Sequence, residues 1–393
     1  MRILQAHNFY QQPGGEDQVY AAEFDLLTRN GHDVRQYSVH NDALRELSGW
    51  KIAYRTIWNS QTYASASETI RQFRPGIIHC HNTFPLVSPA IYYAAAKRQV
   101  PVVQTLHNYR LICPAATLYR DGRICEDCVR HAVPYHGVIH KCYRGDRGAS
   151  AAVASMLTVH RLAKTWTGKV KTYIALTEFA RSKLIQGGLL PEKIVVKPNF
   201  LVQDPGPGSG KGGFALFVGR LSAEKGLTTL LRAWACLPDL QLQIMGDGPL
   251  RSSVEAEAER LPNVTILGFH ERPQVLEAMK SAACLIMPSE WYEGFPMTLV
   301  EAMACGTPIV ASDLGSLHEL VQEGVTGTRF APGDPRHLAE KVRALMSSPD
   351  GNAALRSRVR SAYEETYTAA KNYSHLMNIY ERAISDTSKS STR

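Results

Sequence analysis

Short apolar runs alternate with longer amphipathic ones along this chain, and the alternation happens twice. Residues 3–7, 34–39, 76–80, 100–106 and 172–176 read as strands, and residues 17–28, 88–98 and 149–166 read as helices. Strands separated by helices are joined by crossovers, which yields parallel sheets with helices on both faces. Residues 198–213 then contain Pro-Gly-Pro-Gly-Ser-Gly-Lys-Gly-Gly, a linker by composition, read here as a hinge. No Ser or Thr follows Lys211, so it is not a phosphate loop. The pattern restarts with strands at 214–218, 240–245, 264–267, 284–287 and 309–311 and helices at 227–234, 250–260, 297–305 and 337–346. Residues 353–367 and 369–384 read as two more helices. The expected fold is therefore α/β, with two doubly wound parallel-sheet domains meeting at a cleft. Their bounds are residues 1–198 and 199–368, followed by residues 369–393, of which 385–393 are Ser/Thr/Lys-rich and expected to be disordered. Ligands of such sheets bind beyond the carboxyl ends of the strands.

The 393 residues suffice for two domains. No stretch approaches the roughly 18 apolar residues of a membrane span, and the first residues turn polar too soon for a signal peptide. A cytoplasmic location follows as an expectation. The net charge of +8 is uneven: residues 1–198 hold 25 Lys/Arg against 14 Asp/Glu, and residues 199–393 hold 19 against 22. The basic half calls for an anionic partner, such as a phosphorylated acceptor or a lipid surface.

Four segments carry chemistry. The first runs from Glu290 to Gly306 and holds Glu293-Gly294-Phe295-Pro296-Met297-Thr298-Leu299-Val300-Glu301. Pro296 suits the first turn of a helix. The N–H groups of Met297, Thr298 and Leu299 would then face an anion, helped by the helix dipole. Glu293 and Glu301 flank that helix start, and carboxylates accept several hydrogen bonds from sugar hydroxyls. The second segment, Gly219-Arg220-Leu-Ser-Ala-Glu-Lys225-Gly226, sets two cations in a turn after a strand, where Arg220 can grip phosphate in a fork and Lys225 acts as a point charge. The third is Gly14-Gly15-Glu16-Asp17 after the first strand. The fourth is His107, at the end of another strand, where it can donate a hydrogen bond or act as a base.

Together with Gly246-Asp247-Gly248-Pro249, these segments resemble, in this order and over nearly the whole chain, glycosyltransferase family 4 on the GT-B fold of two facing Rossmann-like domains. The resemblance implies a retaining, metal-independent hexosyltransferase. It would move a sugar from a nucleotide diphosphate sugar to a glycan or polyprenyl-diphosphate-linked acceptor, in polysaccharide or cell-envelope glycan synthesis. It makes Arg220 and Lys225 the diphosphate grip and Glu293 the partner of the donor-sugar hydroxyls, with backbone N–H groups of Gly294, Phe295 and Met297. Thr298 opens the same helix. Glu301 would hold the ribose, with Leu299 and Val300 adding backbone contacts. Gly246, Gly268 and His270 would lie on the donor side, the Gly268–Arg272 turn near the base. Gly15 would lie against the phosphates, His107 near the donor sugar, and the last helices would brace the N-terminal, acceptor-side domain.

Eight cysteines form two groups. Cys80, Cys236, Cys284 and Cys305 stand singly in apolar segments and read as buried thiols. Cys113-x11-Cys125-x2-Cys128-x13-Cys142 has the spacing of a four-thiolate structural zinc site within a loop at 113–142, with His131, His136 and His140 as substitute ligands. Residues 110–171 also hold eleven Lys/Arg against four Asp/Glu, a charge surplus suited to peripheral attachment to an anionic membrane. A competing reading makes the chain a non-catalytic nucleotide-sugar binder or a nucleic-acid-binding module with a zinc-stabilised loop. No basic, aromatic-rich strand pattern supports the latter, and no nucleic-acid partner is expected.

Overall fold

Both halves of the chain build the parallel sheets that their alternation predicts. The computed structural model describes residues 1–11, 14–347 and 349–391. It divides into one unit of Met1–Leu118, Cys125–Asn199 and the segment from Asn372 onward, and a second of Tyr119–Ile124 and Phe200–Lys371.

In the first unit the strands are β1 (Arg2–Phe9), β2 (Asp33–His40), β3 (Ile77–Cys80) and β4 (Val102–Leu106). After the short antiparallel pair β5 (Tyr119–Arg120) and β6 (Arg123–Ile124), which belongs to the second unit, the first unit continues with β7 (Thr172–Ala175) and β8 (Ile194–Val196). The sheet order is β2-β1-β3-β4-β7-β8, all parallel. Ile3, Ile77, Val103 and Ile174 are fully buried, because helices cover both faces. The last helix, Ala369–Ser391, completes this core with Leu376, Ile379, Tyr380 and Ala383.

The second sheet contains β9 (Phe214–Val218), β10 (Gln241–Met245), β11 (Val264–Gly268), β12 (Cys284–Met287), β13 (Ile309–Ser312) and β14 (Gly327–Phe330). Its order is β11-β10-β9-β12-β13-β14, again all parallel. Strand order reverses between β9 and β12, and between β1 and β3 in the first sheet. At such a reversal the two outgoing loops diverge and leave a crevice.

Some sequence readings need correction. The helix expected at 149–166 is two, Arg147–Leu162 and Thr165–Gly168, because Lys164 between them adopts a left-handed conformation (φ 52°). Met156, Leu157 and Trp166 are buried as a packed helix requires, whereas Val159 and Leu162 are exposed. Helices Gly49–Ile57, Ser60–Phe73, Glu178–Gln186 and Arg272–Ser281 and strands β8 and β14 were not anticipated. The segment at 198–213 is a docked strap rather than a hinge. Gly208, Gly210 and Gly212 donate their N–H groups to the carbonyls of Cys305, Lys280 and Ser281 at 2.9, 2.9 and 2.8 Å. A Cβ on Gly208 would stand 2.2 Å from the Lys280 oxygen, so these glycines permit close approach rather than motion. The last helix runs to Ser391, against the expected disorder from 385; residues 392–393 lie outside the described residues. Cys236 is exposed, because it lies just beyond the buried helix Leu227–Trp234; Cys80, Cys284 and Cys305 are buried.

Candidate active site

The loops leaving β9 and β12 are locked together. Gly226 has φ 71°, and a Cβ there would lie 1.9 Å from the Pro288 carbonyl oxygen, so only glycine lets the two loops come this close. The Glu290 N–H donates to the Glu224 carbonyl at 2.9 Å, and the Thr229 hydroxyl donates to Glu290 Oε1 at 2.6 Å.

This junction sets Lys225 against Glu293. Lys225 Nζ donates to Glu293 Oε1 at 2.7 Å, and the Ser289 hydroxyl donates to the same oxygen at 2.6 Å. Glu293 is only 4% exposed. Burial alone would raise its carboxyl, but the charge and hydrogen bond of Lys225 and the bond from Ser289 outweigh it and hold the group below the usual range. Lys225 keeps part of its surface open, and an ammonium has three donors, so it can hold Glu293 and still reach a ligand oxygen.

The helix that follows is Met297–Ala304, with Pro296 as its N-cap rather than its first residue. The Leu299 N–H donates to the Pro296 carbonyl at 3.1 Å. The anion-facing donors expected from helix geometry are therefore Met297 and Thr298, not Leu299. The Leu299 and Val300 side chains are fully buried, and Phe295 packs on Tyr367. Gly294 is half-buried beside Glu293. One turn into the helix, Glu301 accepts from Arg272 Nε at 2.8 Å. Burial raises the Glu301 carboxyl, against the opposing pull of Arg272.

The carboxyl ends of β9, β10 and β11 form the adjoining wall. The Gly219 N–H donates to the Met245 carbonyl at 3.0 Å and the Gly246 N–H to the Gly268 carbonyl at 2.8 Å. Gly246 has φ 149°, and a Cβ on it would meet the Gly219 oxygen at 1.8 Å. An open pocket results, lined by Gly219, Arg220, Gly246, Asp247, Phe269 and His270. Arg220 is exposed and His270 half-buried, its Nδ1 3.3 Å from the Gly268 carbonyl oxygen.

Gly15 and His107 belong to the first unit. Gly15 opens the helix Gly15–Arg29, where the Gly14 N–H donates to Asp17 Oδ2 at 2.7 Å and Asp17 Oδ1 lies 2.6 Å from His7 Nε2. His107 Nε2 lies 3.1 Å from His81 Nδ1, with the rings stacked. Burial holds the His107 imidazole well below its ordinary pKa, and it is neutral at pH 7. Sequence reasoning gave no role to Glu16, whose carboxyl is pushed up to about 8 by burial and by Asp17. It also missed Ser289, whose only signal was a hydroxyl just past a strand end.

Cys113 and Cys128 are buried, and Cys125 and Cys142 half-buried, in the loop after β4. Burial pushes the Cys128 thiol up to about 12, and the thiols of Cys113, Cys142 and Cys125 add to that.

The family model described as Glycosyltransferase Family 4 matches residues 20–202, and that described as Glycosyl transferases group 1 matches residues 204–363. A glycosyltransferase family 4 domain is thus followed by a group 1 glycosyl transferase domain. Over 177 residues the chain is 33% identical to the D-inositol 3-phosphate glycosyltransferase of Mycobacterium avium, a match covering 43% of this chain and 41% of that protein. The chain thus spans about two fifths of the length of the curated relatives that it first matches. A longer match, 26% identical over 325 residues, covers 78% of the chain and 75% of an uncharacterized glycosyltransferase of Methanocaldococcus jannaschii. Among solved structures, Anabaena HepE in complex with UDP superposes with a TM-score of 0.70 at 18% identity, covering 97% of this chain and all of that one. The chain therefore has the GT-B architecture of two Rossmann-like domains.

Proposed function

We propose that this chain is a retaining hexosyltransferase. It moves a sugar from a nucleotide diphosphate sugar to a glycan or polyprenyl-diphosphate-linked acceptor, in polysaccharide or cell-envelope glycan synthesis. The observation that carries the reading is the buried Glu293 carboxylate, held by Lys225 and Ser289 at the point where strand order reverses. HepE, of the same fold, was crystallised with UDP, which supports a nucleotide donor here.

In this reading Arg220 and Lys225 receive the diphosphate, with the Met297 and Thr298 N–H groups at the helix start. Glu293 accepts hydroxyls of the donor sugar, and Glu301 accepts those of the ribose. Gly268 and His270 lie beside the base. The bond between the anomeric carbon and the phosphate oxygen breaks, and its electron pair leaves with the diphosphate. The cations and the helix start stabilise that growing negative charge, so the step needs no metal ion. The acceptor hydroxyl attacks the same face of the oxocarbenium-like carbon and passes its proton to the departing phosphate. The first unit serves the acceptor, and its His107 presents a neutral imidazole.

No helix among the described residues is long and apolar enough to cross a membrane. A cytoplasmic enzyme attached peripherally to anionic lipid fits the basic surplus of residues 110–171.

The test is a thermal-shift panel of nucleotide sugars on the wild type, Lys225→Ala and Glu301→Ala. A true donor stabilises the wild type through its occupancy and loses that effect in both variants. A panel in which no nucleotide sugar stabilises the wild type, or each stabilises all three chains equally, overturns the reading. With acceptor present, the anomeric configuration of the product decides retention.

A further inference from the structure

In the first unit the helix Gly49–Ile57 packs on the helix Arg147–Leu162, and beside them lies a cavity of about 360 Å³. Close-packed interiors rarely leave a void of that size. Here small side chains keep the space open, Ala53 on one helix and Ala149 and Ala152 on the other. Leu44, Ile52 and Val153 make the rest of the wall apolar. Phe84 and Pro85 also line it, from the loop that leaves β3 where strand order reverses. That loop is fastened to β1. Asn8 Oδ1 accepts from the Leu86 and Val87 N–H groups at 2.8 and 3.2 Å, and Asn82 Nδ2 donates to the Asn8 carbonyl at 2.8 Å. The cavity is therefore preformed, and its size falls in the range of roughly 300–1,000 Å³ usual for ligand pockets.

Its edge is cationic and aromatic. Trp50, which lines it, is 70% exposed, and Lys51 Nζ lies 5.6 Å from the centre of the Trp50 ring. The Arg110 and Arg144 guanidinium carbons stand 5.0 and 5.5 Å from the centre of the Tyr143 ring, another lining residue. Arg110 also stands 4.3 Å from the centre of the Phe84 ring. Among the described lining residues the acid is Asp146, whose Oδ1 accepts from the Ala149 N–H at 2.7 Å as a helix cap. Glu16 lies within electrostatic reach of Arg110, but with its carboxyl pushed up to about 8 it is mostly protonated at pH 7. Two guanidiniums at one ring thus offer forked donors to phosphate oxygens. Phe84 and Thr56 line a second, small hollow as well, together with His107 and Arg110. The Arg110 guanidinium therefore borders both the apolar cavity and the hollow that holds His107.

We propose that this cavity takes the isoprenoid chain of a polyprenyl-diphosphate-linked acceptor, with Arg110 and Arg144 receiving its diphosphate and its glycan leading toward the His107 hollow. The proposal rests on the acceptor class read above and gives it a site. An apolar wall with a cationic edge suits a ligand that is hydrocarbon at one end and anionic at the other. A peptide or a nucleotide would leave its polar groups unpaired against such a wall. Each methylene of the chain buried there strengthens binding about fourfold. Trp50 suits the mouth, because an indole covers hydrocarbon while its edge stays in water.

The probe is farnesyl diphosphate, a soluble isoprenoid diphosphate, added to the full chain and followed by tryptophan emission and calorimetry. Inorganic pyrophosphate and anionic phospholipid vesicles are the comparison ligands. Farnesyl diphosphate should blue-shift the wild-type emission and shield it from acrylamide, an effect lost in Trp50→Phe. It should bind more tightly than pyrophosphate, and at least about tenfold more weakly to Ala152→Trp, which fills the cavity. Arg144→Ala should weaken both ligands. The wild-type emission needs no variant, so a folding defect in Ala152→Trp does not decide the outcome. Equal affinity for farnesyl diphosphate and pyrophosphate overturns the proposal. So does shielding of Trp50 by vesicles but not by farnesyl diphosphate, which makes this face a membrane contact. A wild type that binds a nucleotide sugar but not farnesyl diphosphate sinks this inference and leaves the donor reading standing. One that binds farnesyl diphosphate but no nucleotide sugar upholds the cavity and sinks the donor reading.

Discussion

The two sheets share a strand-order reversal, yet they treat charge in opposite ways. Beneath the first, Lys197 Nζ meets Glu23 Oε1 at 2.9 Å with both side chains buried. His79 and His81 approach the other Glu23 oxygen at 3.4 and 3.3 Å, and the Tyr380 hydroxyl lies 2.7 Å from His79 Nδ1. Burial alone would raise the Glu23 carboxyl; Lys197 and the two histidines hold it well below the ordinary range. At the second sheet the cations stay reachable, and the Arg272 side chain in its pair with Glu301 is 53% exposed. A sealed pair has its partners fixed by the fold and maintains shape, whereas a pair at a rim retains donors for a ligand.

The contrast can be broken most easily at Lys197. Lys197→Met leaves the Glu23 carboxylate buried and uncompensated, and urea unfolding should show a loss of about 3–5 kcal/mol. Adding Glu23→Gln to that chain should restore much of it. If Lys197→Met costs no more than a rim substitution, the sealed network is not structural. Lys225→Ala should act on chemistry instead, lowering kcat by about 10²–10³-fold, the loss typical of one donor to a developing negative charge. Steady-state kinetics with the identified donor measures it. A kcat within twofold of wild type would remove Lys225 from the site.

Glu16 sharpens the comparison through pH. Its folded-state pKa of about 8 lies above the ordinary 4.5, so the native state holds the extra proton. The stability linked to that proton is whole below about 4.5 and is lost progressively as the pH rises to about 8. Glu16→Gln should therefore raise the melting temperature relative to wild type at pH 9 and leave it nearly unchanged at pH 4. Equal shifts at both pH values would contradict the assignment. The smallest effect belongs to Arg272→Ala. With its guanidinium half in solvent, its pair with Glu301 should be worth about 1 kcal/mol of stability, while nucleotide affinity, read by calorimetry, should fall.

The alternation of strands and helices made both sheets legible, because fully buried parallel strands have to be apolar throughout. Lys225 and Glu293 were legible as separate motifs, but the ion pair between them was not. It depends on Gly226 lying against Pro288, a contact across 62 positions that no local pattern encodes. The Glu23–Lys197 pair, 174 positions apart, was invisible for the same reason. The helix Ser60–Phe73 hid because Ala and Ser fill much of it and leave no clear apolar stripe. Its start signal was present in Asn59, whose side chain accepts from the Gln61 and Thr62 N–H groups. The strap at 198–213 misled because glycine serves close approach as well as flexibility, and composition does not distinguish them.

The last helix adds a constraint on how the molecule is made. Leu376, Ile379 and Tyr380 share a core with Ile3 and Ile77, so these strands wait for a cover translated some three hundred residues after them. The second sheet, whose residues are nearly all contiguous in sequence, has no such delay and can mature first. The first core is therefore completed only after the residues of the second sheet have been translated, and until then its apolar face lacks its cover.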